Sequence, residues 1–328
     1  MRVALVTDAL ATPTRGNFTT VQRWLTHVRG VEVETVPADP DRILRPVPDL
    51  VHGYHARHGG LAALALARRY GCPLVVSLGG TDLYELVTRA PGSEQLRAVL
   101  RGARCVTGAF PSFRDVLWAE LGCQVPYAVI PRGTPVSGVP TPRRPDGTLR
   151  ILLPSGLRPV KDPLLAIDLA RALVRRGLPL SLRILGSVLD EGYAARVAAR
   201  AAETGFVEVG QVPPERMAEA YRETDVVWNT SVHEGGANAL LEAVAHGCAV
   251  FARDVPGNRE LFRDGGPPGA LFDPQDLDGA VAFHLRLLGE SAAGRRARAQ
   301  RGVAWLRAHH DPAEEARTLL AVWRRELG

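Results

Sequence analysis

Short apolar runs rich in β-branched residues alternate along the chain with longer segments of helical period. In the first half, the runs at 2–7, 31–36, 49–52, 73–78, 104–107 and 126–130 predict strands, and 17–29 and 59–70 predict helices. Alternation of this kind predicts a mainly parallel sheet covered by helices on both faces. Prolines cluster and apolar residues thin out over 135–148, which marks a linker. The pattern then restarts, with strands predicted at 149–154, 180–185, 206–209, 225–230 and 248–252 and helices near 163–176, 191–203, 214–223 and 237–246. The last sixty residues, rich in arginine and alanine, read as helix, and Asp311-Pro312 is a clean start for the final one. The expected fold class is α/β, with two Rossmann-like doubly wound domains at 1–131 and 149–310, a linker at 132–148, and a helix at 311–328 able to pack back on the first domain. Ligands bind such sheets at the carboxyl ends of the strands, so function is expected in those loops and in a cleft that the two domains face.

A length of 328 residues suits this division, at about 150 residues per domain. The 46% hydrophobic and 23% charged fractions exclude a disordered chain. No apolar run approaches the ~18 residues a membrane span needs. Met1 leads directly into a strand-like segment, so no secretory leader is expected. Cys72, Cys105, Cys123 and Cys248 lie far apart without a CxxC pair, which argues against a disulfide framework or a zinc site and for a reduced cytoplasm. The net charge of +5 rests on arginines scattered along the whole chain and gives little reason to expect a nucleic-acid partner. Lys161 is the sole lysine. Unless it survives by chance, it marks a position where a compact ammonium is needed and a planar guanidinium will not do.

Lys161 lies in Gly156-Leu157-Arg158-Pro159-Val160-Lys161-Asp162-Pro163, between the first strand of the second half and its first helix. Two cations in such a loop suit a diphosphate, although an exposed basic loop ahead of an Asp-Pro helix start has the same letters. The segment Glu234-Gly235-Gly236-Ala237-Asn238 follows another strand and opens a helix that carries Glu242. Backbone N–H groups at such a start can hold phosphate. Glu242 would lie ~12 Å beyond Glu234 if the intervening segment were helical, a spacing that lets one carboxylate reach a sugar and the other a ribose. The plain alternative makes Glu234 a helix cap and Glu242 a solvated side chain.

In the first half, Arg15-Gly16-Asn17 offers close backbone approach to a ligand. His52, His55 and His58 are spaced by three in a strand-end loop, but no cysteine or carboxylate completes a metal set, so one imidazole facing the cleft is expected. Thr81 and Asp82 follow a glycine pair and suit either an acceptor or a helix cap. Asp276 and Asp278 have the letters of a metal-binding DxD but sit where Asp276 would cap a late helix. The run Arg295-Arg296-Ala297-Arg298 with Arg301 reads as a solvated helix face.

These features together resemble the retaining GT-B glycosyltransferases of the family 4 type. The resemblance covers nearly the whole chain and is carried by the basic loop at Arg158 and Lys161 and by Glu234-x7-Glu242. Two smaller groups are similar in detail. Gly156-Leu157-Arg158-Pro159-Val160-Lys161-Asp162-Pro163 and Pro256-Gly257-Asn258 resemble the glycosyltransferase 1 domain-containing type. Gly16-Asn17-x-x-Thr20-x-x-Arg23-Trp24, His55-Ala56-Arg57, Gly80-Thr81-Asp82-Leu83-Tyr84 and Glu234-Gly235-Gly236-Ala237-Asn238 resemble the selenosugar synthase type.

The resemblance implies a nucleotide-sugar donor, with UDP as the nucleotide, a small-molecule acceptor, transfer of a hexosyl or N-acetylhexosaminyl group with retention, and no cofactor or metal ion. It implies that Arg158 and Lys161 grip the donor diphosphate, that Gly16, Gly235, Gly236, Ala237 and Asn238 lie near the donor, and that Glu242 holds the ribose. Glu234 would face the donor sugar, and His55 would act beside Asn17, Thr81 and Asp82 on the acceptor side. One departure stands out: the family usually places arginine directly after the glycine, whereas here Leu157 stands there and Arg158 follows it. A selenosugar synthase using UDP-N-acetylglucosamine and selenophosphate, and a non-catalytic nucleotide-sugar-binding protein, are the rival expectations.

Overall fold

A computed structural model describes residues 1–11, 16–141, 147–263 and 265–328. The chain divides into two compact units, Met1–Gly133 with His310–Gly328, and Thr134–His309. Arg15, and residues 142–146 of the proline-rich stretch, lie outside the described residues.

The first unit runs β1 (Arg2–Val6), α1 (Gly16–His27), β2 (Glu32–Val36), β3 (Leu50–Tyr54), α2 (Gly60–Tyr70), β4 (Leu74–Ser77), α3 (Thr81–Val87), α4 (Ser93–Gly102), β5 (Cys105–Gly108), α5 (Ser112–Leu121) and β6 (Tyr127–Val129). Its six strands are all parallel, in the order β2-β1-β3-β4-β5-β6. Every residue of β3, β4 and β5 is buried, as expected of central strands covered on both faces.

The second unit runs β7 (Leu149–Pro154), α6 (Pro163–Arg175), β8 (Leu180–Leu185), α7 (Glu191–Ala202), β9 (Val207–Gly210), α8 (Met217–Arg222), β10 (Val226–Asn229), α9 (Asn238–Ala245), β11 (Ala249–Arg253), α10 (Pro256–Leu261), β12 (Gly269–Phe272), α11 (Leu277–Leu288) and α12 (Ala292–His309). These strands too are all parallel, in the order β12-β11-β10-β7-β8-β9. Its core forms around Ile151, Leu182, Trp228 and Phe251. The last helix, α13 (Pro312–Leu327), belongs to the first unit, where Leu319, Val322 and Trp323 join Val3, Leu50 and Trp24 in one core.

Three expectations need correction. The stretch at 269–272 read as helix but is β12, which pairs with β11 from Val250↔Gly269 to Arg253↔Phe272. The helix expected over 214–223 is a short 3-10 turn at Pro214–Arg216 followed by α8. The arginine run on α12 is not simply solvated, because Arg295 and Arg298 are buried. Arg298 pairs with Glu290 and donates to Gly247 O at 2.8 Å, and Arg295 donates to Glu290 O.

Strand order fixes where each sheet offers a crevice. The chain steps from β7 outward to β9 and returns on the other side of β7 with β10, so the topological switch lies between β7 and β10. In the first unit the switch lies between β1 and β3. The Lys161 and Glu234 loops follow β7 and β10, and the His55 loop follows β3.

Candidate active site

In the second unit, the loop after β7 tightens into a 3-10 turn at Pro159–Lys161. Asp162 follows in a left-handed conformation (φ 47°) and caps α6 by accepting from Leu165 N–H at 3.3 Å. Thr230, at the end of β10, is fully buried and its hydroxyl donates to the carbonyls of Lys161 (3.0 Å) and Asp162 (2.9 Å). Arg253, at the end of β11, donates to Asp162 Oδ2 at 3.2 Å. The turn that carries the sole lysine is thus tied to the two neighbouring strands.

From that turn Lys161 Nζ donates to Glu234 Oε1 at 2.6 Å. The same oxygen accepts from Ser231 Oγ at 2.6 Å and Asn229 Nδ2 at 2.8 Å. Glu234 is 5% exposed. Burial alone would raise its carboxyl, but the Lys161 ammonium and the hydrogen bonds from Lys161, Ser231 and Asn229 outweigh it and hold the group down at about 2. Glu234 is therefore no helix cap, since α9 begins only at Asn238 with Ala237 at its N-cap. Gly236 between them has φ 108°, a conformation open to glycine and strained for any other residue.

A depressed carboxyl stabilises the fold fully above its unfolded value near 4.5 and loses that contribution as pH falls through about 2. The stability difference between wild type and Glu234→Gln, measured by urea unfolding, should be constant above about pH 5 and shrink from there toward pH 2. A difference that stays constant across the acid range contradicts the Lys161–Glu234 pairing.

Glu242 lies on α9, half-buried, and its Oε2 accepts from the Tyr221 hydroxyl at 2.8 Å. Burial, with the Glu242 charge added, pushes that hydroxyl well above the usual tyrosine range, so it stays a donor. Arg158 is half-buried immediately ahead of the Lys161 turn, and Leu157, where the family usually has arginine, is buried in the core. Asp276 caps α11 by accepting from Gly279 N–H at 2.8 Å, and Asp278 pairs with Arg176.

In the first unit the three histidines separate. His52 is a core residue, bonded to Ser77 Oγ at 2.8 Å and to the Trp323 indole at 3.1 Å. His55 sits just past β3 with φ 64° and is 1% exposed, so it is not the imidazole open to a ligand, whereas His58 is exposed. The His55 Nε2 meets Thr81 Oγ1 at 2.7 Å, so the group presented outward is the half-buried Thr81 hydroxyl. The His58 ring lies tilted against that of His55, with centroids 4.4 Å apart. Gly79 has to be glycine, because a Cβ there would come within 2.3 Å of the His55 ring. Asp82 also departs from an acceptor-orienting role. Its buried carboxylate accepts from the amides of Gly79, Gly80, Ala56 and Leu83 and lies 3.8 Å from His55 Nδ1, so it shapes the loop instead. Burial works against its charge, but His55 and these amides outweigh that and lower its carboxyl. Asn17 Oδ1 accepts from Tyr54 OH at 3.4 Å, and Gly16 opens α1.

Residues 141–301 match the family model described as Glycosyl transferases group 1. That match covers just under half of the chain, and the fold is the GT-B arrangement of two parallel sheets shared with solved glycosyltransferases. A curated relative, glycosyltransferase 1 domain-containing protein 1 of Xenopus tropicalis, is 26% identical over 242 residues, which is 68% of each chain. The D-inositol 3-phosphate glycosyltransferase of Nocardia farcinica is 27% identical over 278 residues, covering 76% of this chain and 60% of that one. The structure of Anabaena HepE in complex with UDP and glucose superposes with a TM-score of 0.74 at 15% identity, covering 98% of this chain and 99% of the other, and shows the shared fold.

The geometry also brings to the candidate site residues that sequence reasoning did not assign. Asn229 links the site together, donating to Glu234 while its Oδ1 accepts from Ser231 N–H and from Asn258 Nδ2 at 3.2 Å. Asn258 is buried and donates to Arg253 O as well. Tyr221 and Arg253 complete the set. Asn258 stood in the quoted Pro256-Gly257-Asn258 motif, whereas Arg253 was hidden by a composition in which arginine is everywhere.

Proposed function

We propose that this protein is a glycosyltransferase that moves a hexosyl or N-acetylhexosaminyl group from a UDP-sugar to a small-molecule acceptor, with retention at the anomeric carbon, in the cytoplasm. The observation that carries the reading is the Lys161 turn, tied to the ends of β10 and β11 at the switch point of the second sheet, with its ammonium paired with Glu234. In the proposed reaction the bond from the anomeric carbon to the donor diphosphate breaks. Lys161, Arg158 and the amides at 235–238 stabilise the charge that develops on the leaving oxygen. The acceptor oxygen bonds to the same face of the sugar, and its proton passes to the departing diphosphate. Glu242 takes the ribose through Oε1 while Tyr221 fixes Oε2. Glu234 aligns the donor sugar, and His55 orients Thr81 toward the acceptor. UDP is supported by HepE, which was solved with UDP and glucose.

The test is incubation of the purified protein with UDP-sugars and an acceptor panel that includes selenophosphate, reading UDP release, product mass and the anomeric proton coupling. An α-linked product from an α-linked donor is expected. A β-linked product overturns retention, and tight UDP binding without turnover overturns catalysis. A product containing selenium would move the acceptor to selenophosphate.

A further inference from the structure

In the first unit the side chains of Asp82, His55 and Thr81 form one polar array. His55 Nδ1 lies 3.8 Å from Asp82 Oδ2, and His55 Nε2 lies 2.7 Å from Thr81 Oγ1. Packing holds the ring in this orientation. Its Cδ2 edge lies against Gly79, where an added Cβ would come within 2.3 Å, and the His58 ring lies beside it. Turning the ring over would put carbon atoms where the two nitrogens now meet Asp82 and Thr81.

The protons of this array follow from its neighbours. The Asp82 carboxylate already accepts from four backbone amides and is too far from Nδ1 for a hydrogen bond. Nδ1 has no hydrogen-bond partner among the described residues. A lone pair there would face the carboxylate, whereas an N–H points its positive end at that charge, so Nδ1 carries a proton. A second proton at Nε2 would make a buried imidazolium with no charge-assisted bond at Nδ1 to offset its desolvation. The neutral ring protonated at Nδ1 is therefore the favoured state, and its Nε2 is a bare acceptor. At 2.7 Å from that nitrogen, the Thr81 hydroxyl must donate to it. Thr81 Oγ1 makes no other hydrogen bond among the described residues, so it offers lone pairs and no proton to anything that meets it.

We propose that Thr81 is a specificity-determining residue: its oxygen receives a hydrogen bond from a neutral hydroxyl of the acceptor and disfavours an ionised oxyanion, which has no proton to give. That hydroxyl stands beside the one that reacts, whose proton goes to the departing diphosphate. His55 and Asp82 are positioning residues that act through Thr81. The acceptor's part in this rests on the glycosyl-transfer reading, whereas the direction of the Thr81–His55 hydrogen bond does not. The array favours a polyol acceptor over selenophosphate, whose ionised oxygens would meet the Thr81 lone pairs.

Long-range proton–nitrogen NMR of the full chain, with His55 assigned through its own backbone, reads the array without substrate. A neutral ring protonated at Nδ1 is expected. A ring protonated at Nε2 alone, or an imidazolium, overturns the proposal, since either one turns the Thr81 proton outward. Transfer from UDP-glucose and UDP-N-acetylglucosamine is then compared among glucose, glycerol, myo-inositol and selenophosphate as acceptors. With the polyols, kcat/KM should fall about three- to tenfold in Thr81→Val, the loss of one hydrogen bond, and recover most of that in Thr81→Ser, with UDP affinity unmoved in both. His55→Asn suits the left-handed backbone at φ 64° and should add no further loss to Thr81→Val if His55 acts through Thr81. Wild-type rates kept in Thr81→Val, a preference of the wild type for selenophosphate over every polyol, or independent losses from His55→Asn and Thr81→Val overturn the proposal. No transfer to any acceptor overturns the glycosyl-transfer reading and the acceptor role with it, and the NMR result separates that failure from a wrong hydrogen-bond direction.

Discussion

Replacing Lys161 with alanine is expected to lower the rate of sugar transfer by about two to three orders of magnitude while the protein stays folded. Removing one preorganised donor aimed at developing negative charge typically has an effect of that size. Folding survives because Glu234 keeps its hydrogen bonds from Ser231 and Asn229, and without the ammonium its carboxyl can rise from about 2 and take up a proton. Lys161→Arg should not rescue the rate, since the site is built around one compact donor 2.6 Å from a carboxylate oxygen and a planar fork presents its N–H groups differently. Steady-state rates of UDP release, with circular dichroism to confirm folding, check both variants. Wild-type turnover in Lys161→Ala contradicts the assignment.

Glu315→Ala is expected to destabilise the first unit by about 3–5 kcal/mol, because it strands a buried arginine. Glu315 on α13 receives two hydrogen bonds from Arg23, one from the Trp24 indole at 3.0 Å and one from the Gly133 amide at 3.0 Å. Both charged side chains are almost fully inaccessible, at 5% for Arg23 and 1% for Glu315. Truncating the acid leaves the guanidinium and two N–H groups without their acceptor. The melting temperature should fall on the order of 10 °C. The double variant Arg23→Met, Glu315→Leu should recover only part of the loss, since it removes the stranded guanidinium but leaves the Trp24 and Gly133 N–H groups without their acceptor. A single variant that melts within about 2 °C of wild type contradicts a stabilising role for the pair.

Elements with a strong local signature were legible in the sequence. The central strands β3, β4 and β5 are buried on both faces and read as apolar runs, and α6 and α13 announce themselves by Asp-Pro starts. β12 was missed because Gly269-Ala270-Leu271-Phe272 has no β-branched residue and forms an edge strand with one buried position. Lys161, Glu234 and Glu242 were visible as residue types in strand-end loops. Their partners were not: Arg253 and Tyr221 come from other elements through the fold, and Asn229, only five positions before Glu234, sat inside what read as an apolar strand. The same holds for Arg23 and Glu315, which lie 292 positions apart in the chain. Burial of His55 and Asp82 also escaped sequence reasoning, because a loop motif does not reveal that four amides will claim a carboxylate.

Titration of UDP into the wild-type protein, Lys161→Ala and Glu242→Gln tests most directly whether the second unit holds the donor nucleotide. Saturable wild-type binding, weakened about tenfold or more by each substitution, is the expected result, since each removes a charged hydrogen bond to the nucleotide. No UDP binding by the wild type, or affinities unchanged in both variants, would contradict it.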